Sequence, residues 1–282
     1  MTTATATAAP RERAARASSS APGLGAALRA EWTKLWSLRS TYVVLALSVL
    51  IGAGMSALIS LAVGVGGEEE IPAGVDPAAQ ALAMAQIGPD LAVIVFVVLA
   101  GGFSAGEYAT GLIRLTLGVG PRRWRPLAAK AAVLSGVVLA AGLVVVLAAF
   151  LASQAVLDAY GMATVGLGDD GVLRKVLLQA ATLPVFPLTA LALGFLLRGT
   201  AAAITTAIAV MWLPAIIGAL LPDWVRENVV RYTPGTAVGN VVGTTAAASP
   251  THMDPWPAAA VVAAWLALSL GAALWSLSRR DA

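Results

Sequence analysis

The chain has 282 residues, of which 59% are hydrophobic and only 12% are charged, and its mean hydropathy is +0.83. A soluble globular domain carries about twice that charged fraction, so the composition excludes a soluble globular fold and indicates a protein that crosses a membrane several times. The absence of cysteine excludes disulfides and thiolate metal sites, and a net charge of +3 is too small to indicate a nucleic-acid partner.

The first 40 residues are predicted to form a tail and then a helix that lies on the membrane. Residues 1–22 are mostly Ala, Ser and Thr with three arginines, so we expect a disordered tail. Residues 23–40 follow a helical pattern with an apolar side and a polar, cationic side. The apolar side includes Leu28, Trp32, Leu35 and Trp36. An amphipathic helix with tryptophan on its apolar face lies in the membrane plane, so we predict an interfacial elbow helix that contacts lipid.

Residues 41–282 are predicted to form an all-α membrane domain of six transmembrane helices. The predicted spans are 41–61, 89–105, 127–156, 172–197, 201–221 and 257–277. Pro89 suits a first helical position, so the second span is predicted to begin there. Pro184, Pro187 and Pro214 lie within later spans and predict kinks or local unwinding, because proline cannot donate a backbone hydrogen bond.

The distribution of charge predicts how these spans are oriented. Six spans place both termini and the second and fourth loops on one side, together with 14 of the 18 Lys and Arg and only 4 of the 15 acids. The opposite side carries the other 4 cations and 11 acids. Because Lys and Arg are retained in the cytoplasm, both termini are predicted to be cytoplasmic.

The loop between the second and third spans concentrates charge within an apolar chain. It reads GEYATGLIRLTLGVGPRRWRPLAAK over residues 106–130 and combines Glu107 with five cations. A helix is predicted to continue to Leu117, to break at the Gly and Pro of 118–121, and to restart over 122–130. The cations are Arg114, Arg122, Arg123, Arg125 and Lys130. Such a cluster could simply anchor the topology on anionic headgroups, whereas Glu107, at the end of a membrane helix, needs a cationic partner in this chain or another.

The sequence offers no catalytic constellation. It contains no phosphate-binding G-x-x-x-x-G-K-[ST] motif and a single histidine, His252, so neither a cofactor nor a metal site is predicted. No charged residue is expected near the middle of a span, with Asp90 placed at the outer mouth. Ion-coupled carriers normally need such groups, so the energy for any transport would come from a partner.

Neutral polar residues within the predicted spans are expected to satisfy backbone groups and neighbouring helices more often than to bind a substrate. They are Ser56, Ser60, Ser135, Gln179, Thr182, Thr205 and Thr206.

Four stretches resemble bacterial ABC-2-type transporter permeases. They are AEWTKLWSLRSTYVVL at 30–45, FSAGEYATGLIRLTLGVGPRRWRPLAAK at 103–130, LRGTAAAI at 197–204 and RYTPGTAVGNVV at 231–242. The block from Glu107 to Lys130 is the specific one, with Glu-Tyr, Thr-Gly, Arg, a Pro-Arg-Arg turn and Ala-Lys in order.

The resemblance implies a permease subunit of a bacterial exporter in the cell membrane, paired with a second copy or a homologous permease and seated on cytoplasmic P-loop ATPase subunits. The elbow helix and the first cytoplasmic loop would form the surface that the ATPase grips, and residues 222–256 would carry short re-entrant or external helices. The implied coupling residues are Glu107, Tyr108, Gly111, Arg114, Arg122, Arg123 and Arg125. A non-transporting scaffold or sensor subunit and an ion-coupled secondary carrier are the alternatives.

Overall fold

The computed structural model describes residues 23–67, 76–109, 124–218 and 220–279, and every regular element in them is helical. The elements are α1 (Leu24–Ser37), α2 (Arg39–Gly66), α3 (Pro77–Ala109), α4 (Trp124–Ala159), α5 (Val172–Thr182), α6 (Val185–Leu197), α7 (Thr200–Gly218), α8 (Asp223–Asn228), a 3-10 turn (Val230–Tyr232), α9 (Pro234–Val242) and α10 (Pro255–Arg279). The predicted tail, residues 1–22, lies outside the described residues.

Six helical segments are long and apolar enough to cross a membrane: α2, α3, α4, α5 together with α6, α7 and α10. The prediction of six spans is confirmed by their length and composition, and the fold fits an all-α multi-pass membrane protein. The short helices expected within 222–256 are also present, as α8, the 3-10 turn and α9.

The second long helix begins earlier than the sequence predicts. Pro89 does not open it, because α3 starts at Pro77 and contains Pro89 in its interior. Asp76 caps the helix, since its carboxylate accepts a hydrogen bond from the Ala78 N–H at 3.2 Å and its carbonyl accepts one from the Gln80 N–H at 3.0 Å. Proline is favoured directly after such a cap, so the start signal is carried by Asp76 and Pro77.

A serine of α2 explains how Pro89 is tolerated inside α3. Proline has no N–H for the carbonyl four residues earlier, here that of Ala85. The Ser56 hydroxyl donates to that carbonyl at 2.9 Å and accepts from the Gly88 N–H at 3.1 Å. The two helices touch here, since a Cβ on Gly88 would collide with the Gly52 carbonyl oxygen. The lost helical bond is thus replaced from a neighbouring helix.

The fourth span is interrupted where the sequence predicts it. Pro184 and Pro187 cannot donate to the carbonyls of the preceding turn, and α5 ends at Thr182 while α6 begins at Val185. Pro214 lies inside α7, which continues past it to Gly218. Two prolines three residues apart therefore divide one span into two helices.

The bundle is organised around α3 and the α5–α6 segment. Within each of these two spans, 67% of the most apolar stretch is buried inside the chain, against 22% for α2 and α7 and 17% for α10. α3 packs against α2, α4, α6 and α7, while α10 packs on α6 and α9. The remaining apolar surface of α2, α7 and α10 faces outward.

The alternation of the spans gives the bundle two ends. We call one end the loop end, because the charged segment 110–123 connects α3 to α4 there. It carries α1, the last turn of α3, the first turn of α4 and the last turns of α6 and α10. The opposite end carries the start of α3, the start of α5, and the segment from α8 to α9.

Candidate functional site

At the loop end, α1 is fixed to the bundle by its packing. Leu35 is completely buried, and its carbonyl accepts a hydrogen bond from the Thr41 hydroxyl at 2.6 Å across the junction with α2. Leu28 and Trp36 are partly buried against the core, while Trp32 is 50% exposed. The predicted apolar side of the helix is therefore only partly covered by the chain. Whether α1 lies in the plane of a membrane stays a prediction.

The strongest polar contact of α1 is a buried ion pair with α4. Glu31 is 3% exposed and Lys130 is 1% exposed, and the Lys130 Nζ lies 2.7 Å from the Glu31 Oε2. The other carboxylate oxygen of Glu31 lies 2.8 Å from the Nζ of Lys34. Lys130 also donates to the Phe103 carbonyl at 3.2 Å, and its Nζ lies 4.0 Å from the Phe103 ring centroid. One cluster thus joins α1, α3 and α4.

Sequence reasoning missed this pair. In the sequence, Glu31 contributes only to the charge count of one side of the membrane, and Lys130 only to the group of cations in the charged loop. One signal was available, because Glu31 and Leu35 are four residues apart and share one helix face. A carboxylate on the buried face of an amphipathic helix requires a buried cation.

The predicted coupling residues are only partly visible. Glu107 and Tyr108 belong to the last turn of α3, one turn beyond Phe103, and their side chains lie outside the described residues. Arg125 is half-buried in the first turn of α4. Gly111, Arg114, Arg122 and Arg123 lie outside the described residues, as do the predicted helix to Leu117 and the turn at 118–121. The structure therefore brings Arg125 and the backbone of Glu107 to the end that holds the Glu31–Lys130 pair.

A cavity of about 390 Å³ lies between α3, the α5–α6 segment, α7 and α9, towards the opposite end of the bundle. Most of its walls are apolar. Asp90 and Gln179 both line it, and the Gln179 Nε2 donates to the Gln86 carbonyl at 2.9 Å and to the Asp90 Oδ1 at 3.4 Å. Asp90 was expected at the outer mouth of a span, and the early start of α3 at Pro77 places it inside that helix, beyond its first turn.

The short helix α9 covers one side of this cavity and is held there by Asn240. The amide of this buried residue donates to the Thr236 and Thr251 carbonyls, each at 3.0 Å. Its side-chain oxygen accepts from the Met253 N–H at 2.9 Å. The Trp265 ring nitrogen of α10 donates to the Tyr232 carbonyl at 2.8 Å, just before α9. These bonds fix α9 to the following loop and to α10.

Five of the seven neutral polar residues make the structural hydrogen bonds that the sequence predicts. Ser56, Ser60, Ser135, Gln179 and Thr182 each bond to a backbone carbonyl or to a residue of another helix, as in the 2.7 Å contact between the Ser60 and Ser153 hydroxyls. Of these, Gln179 and Thr182 also line the cavity.

Taken together, the chain has the form of an all-helical, multi-pass membrane protein with a docked N-terminal helix at one end and a mostly apolar cavity towards the other. In the residues that the structure describes, no group of three or more His, Asp or Glu side chains is placed to hold a metal ion. No family model and no curated protein matches the chain.

Proposed function

We propose that the chain is the permease subunit of an ABC-2-type exporter in a bacterial cell membrane, forming the transmembrane pathway and coupling to a separate P-loop ATPase. The observation that carries this proposal is the buried cluster of Glu31 and Lys130. It connects α1 to α3 and α4, the two helices on either side of the charged segment 110–123.

An ATPase that moves this segment can transmit its movement only if the helices attached to the segment move together. Removing one partner of a buried ion pair costs about 3–5 kcal/mol, so α1 and α4 stay joined under moderate force. Helix α3 is continuous from Glu107 past Asp90. In the proposed cycle, ATP binding by the partner moves the loop end, and α3 and α4 transmit that movement to the cavity.

The orientation proposed here places the loop end in the cytoplasm, with both termini, and α1 in the interface as an elbow helix. Its exposed Trp32 suits the headgroup region, where an amphipathic ring has one apolar and one hydrated side. The outward apolar surfaces of α2, α7 and α10 would face lipid or a second permease copy. The charge distribution of the sequence supports the same orientation.

One observation favours a second candidate, an ion-coupled carrier. Asp90 lies beside a cavity near the midpoint of α3, where a carrier would hold a coupling ion. Transport by a carrier would stop on adding an ionophore while ATP remained intact. Transport by the proposed exporter would continue with the ionophore and stop on ATP depletion.

Purification from the native membrane tests the proposal. We expect a P-loop ATPase to co-purify in stoichiometric amount with the gently solubilised chain. Glu107→Ala and the Arg122→Ala/Arg123→Ala pair should reduce that recovery and the coupled ATPase rate, because these residues are the proposed contacts. Arg174→Ala is the control, since Arg174 is an exposed cation at the start of α5, on the opposite end. A partnerless protein, or equal recovery in all variants, would overturn the coupling assignment.

A further inference from the structure

Asp90 is a carboxylate without a cation among the residues that the structure describes. Its side chain is accessible from the cavity, and no Lys, Arg or His nitrogen of the described chain lies within 4.0 Å of its oxygens. Within the described part of the chain, its one hydrogen bond comes from the neutral Gln179 amide at the long distance of 3.4 Å. A carboxylate that faces a mostly apolar cavity attracts a positive group more strongly than one surrounded by water, because its charge is screened less. The site therefore has the electrostatics of a receptor for a cation.

The walls around Asp90 indicate what kind of cation. A small hydrated ion would need several oxygen ligands, whereas this cavity is lined mainly by hydrocarbon and aromatic groups. The apolar lining includes Leu183, Phe186, Met211, Trp212 and Val238. Aromatic faces such as those of Phe186 and Trp212 attract organic cations as well as apolar groups. A volume of about 390 Å³ is within the usual range of small-molecule sites, about 300–1,000 Å³.

Gln179 positions the carboxylate and does not neutralise it. Its amide nitrogen faces two acceptors, the Gln86 carbonyl and the Asp90 Oδ1, which fixes the amide orientation because an oxygen in that place would be repelled by both. Gln179 is 3% exposed, and its side-chain oxygen has no hydrogen-bond partner among the described residues. A buried glutamine thus uses its donor to hold the Asp90 carboxylate at the cavity wall.

We propose that this cavity binds an amphipathic organic monocation, with the positive group at Asp90 and the apolar body against Phe186, Trp212 and their neighbours. Neutral molecules of the same shape would lose the charge interaction, and anions would be repelled by Asp90. Binding requires no partner protein. That the bound cation is also the transported substrate rests on the proposed function.

Tetraphenylphosphonium and tetraphenylborate, which share a shape but have opposite charge, provide the test. Binding is measured on the purified full chain in detergent, with no ATPase present. We expect saturable binding of tetraphenylphosphonium alone. Asp90→Asn should weaken it about tenfold or more, as for loss of a charge-assisted contact, whereas Asp90→Glu should keep it within about threefold. Asp170→Asn, an exposed acid just before α5, is the control and should bind like the native chain.

Three results would overturn the inference. The first is equal affinity for the cation in the native chain and in Asp90→Asn. The second is equal affinity of the native chain for both probes. The third is loss of binding in Asp90→Glu at an unchanged unfolding temperature, because charge would then not be what binds. None of these results bears on co-purification of an ATPase, so failure of this site and failure of the proposed function are distinguishable.

Discussion

Two acidic side chains of the chain, Glu31 at the loop end and Asp90 at the cavity, have different surroundings. Glu31 at the loop end is 3% exposed and has a lysine on each carboxylate oxygen, at 2.7 and 2.8 Å. Asp90 at the cavity accepts, from the residues that the structure describes, one long hydrogen bond from the Gln179 amide, and it faces accessible space. The Glu31 carboxylate is thus paired within the chain and joins α1 to α4. The Asp90 carboxylate has no such cation among the described residues and lines the cavity.

The largest effect that would test this contrast is expected from Glu31→Leu. The substitution leaves Lys130 buried without the Glu31 carboxylate, so the free energy of unfolding should fall by about 3–5 kcal/mol. The double variant Glu31→Leu/Lys130→Met should recover most of the loss, because an apolar pair replaces the ion pair at similar volume. Chemical or thermal unfolding in detergent measures both. A double variant no more stable than the single one would show that the pair is not what joins α1 to α4.

A smaller effect is expected from Ser56→Ala, which removes the hydroxyl that serves the Ala85 carbonyl beside Pro89. We expect the free energy of unfolding to fall by about 1–2 kcal/mol, since a buried carbonyl would lose its partner. Ser48→Ala is a matched control, because the Ser48 hydroxyl donates within its own helix, to the Leu45 carbonyl at 2.8 Å. An equal loss of stability in both variants would show that the hydrogen bond between α2 and α3 contributes no more than one within a helix.

The smallest change in stability is expected from Asp90→Asn. Because no cation of the described chain pairs with Asp90, its removal breaks no ion pair, and the free energy of unfolding should stay within about 0.5 kcal/mol of the native value or rise. The measurement is the same unfolding experiment without added ligand. A loss comparable to that of Glu31→Leu would remove the contrast between the two carboxylates, since Asp90 would then be a structural group.

The six spans could be predicted because each depends on local composition alone. The start of α3 could not be predicted, because proline favours the first turn of a helix and Pro89 therefore resembles a first helical residue. Only the structure shows that Ser56 of another helix replaces the hydrogen bond that Pro89 cannot make. The Asp76–Pro77 cap was visible in the sequence, and it outweighs Pro89 once Pro89 is tolerated in the helix interior.

The two charged sites could not be predicted for a different reason. Glu31 and Lys130 are 99 residues apart, and Gln179 and Asp90 are 89 residues apart, so only packing brings them together. The pattern of α1 also does not show which of its apolar residues the bundle covers, since Leu35 is fully buried while Trp32 is half exposed. A helical wheel defines an apolar arc but not which part of it meets the bundle.

The contact of Ser56 with α3 has a mechanical consequence. A proline inside a long helix normally allows the helix to bend, because one backbone hydrogen bond is absent. Here a side chain of α2 supplies the missing hydrogen bond, and the close approach of α2 at Gly88 leaves no gap into which α3 could bend. The contact with α2 therefore stiffens α3, because bending at Pro89 would require α3 to slide against α2. A displacement of the loop end of α3 would be transmitted along the helix to the cavity with little loss.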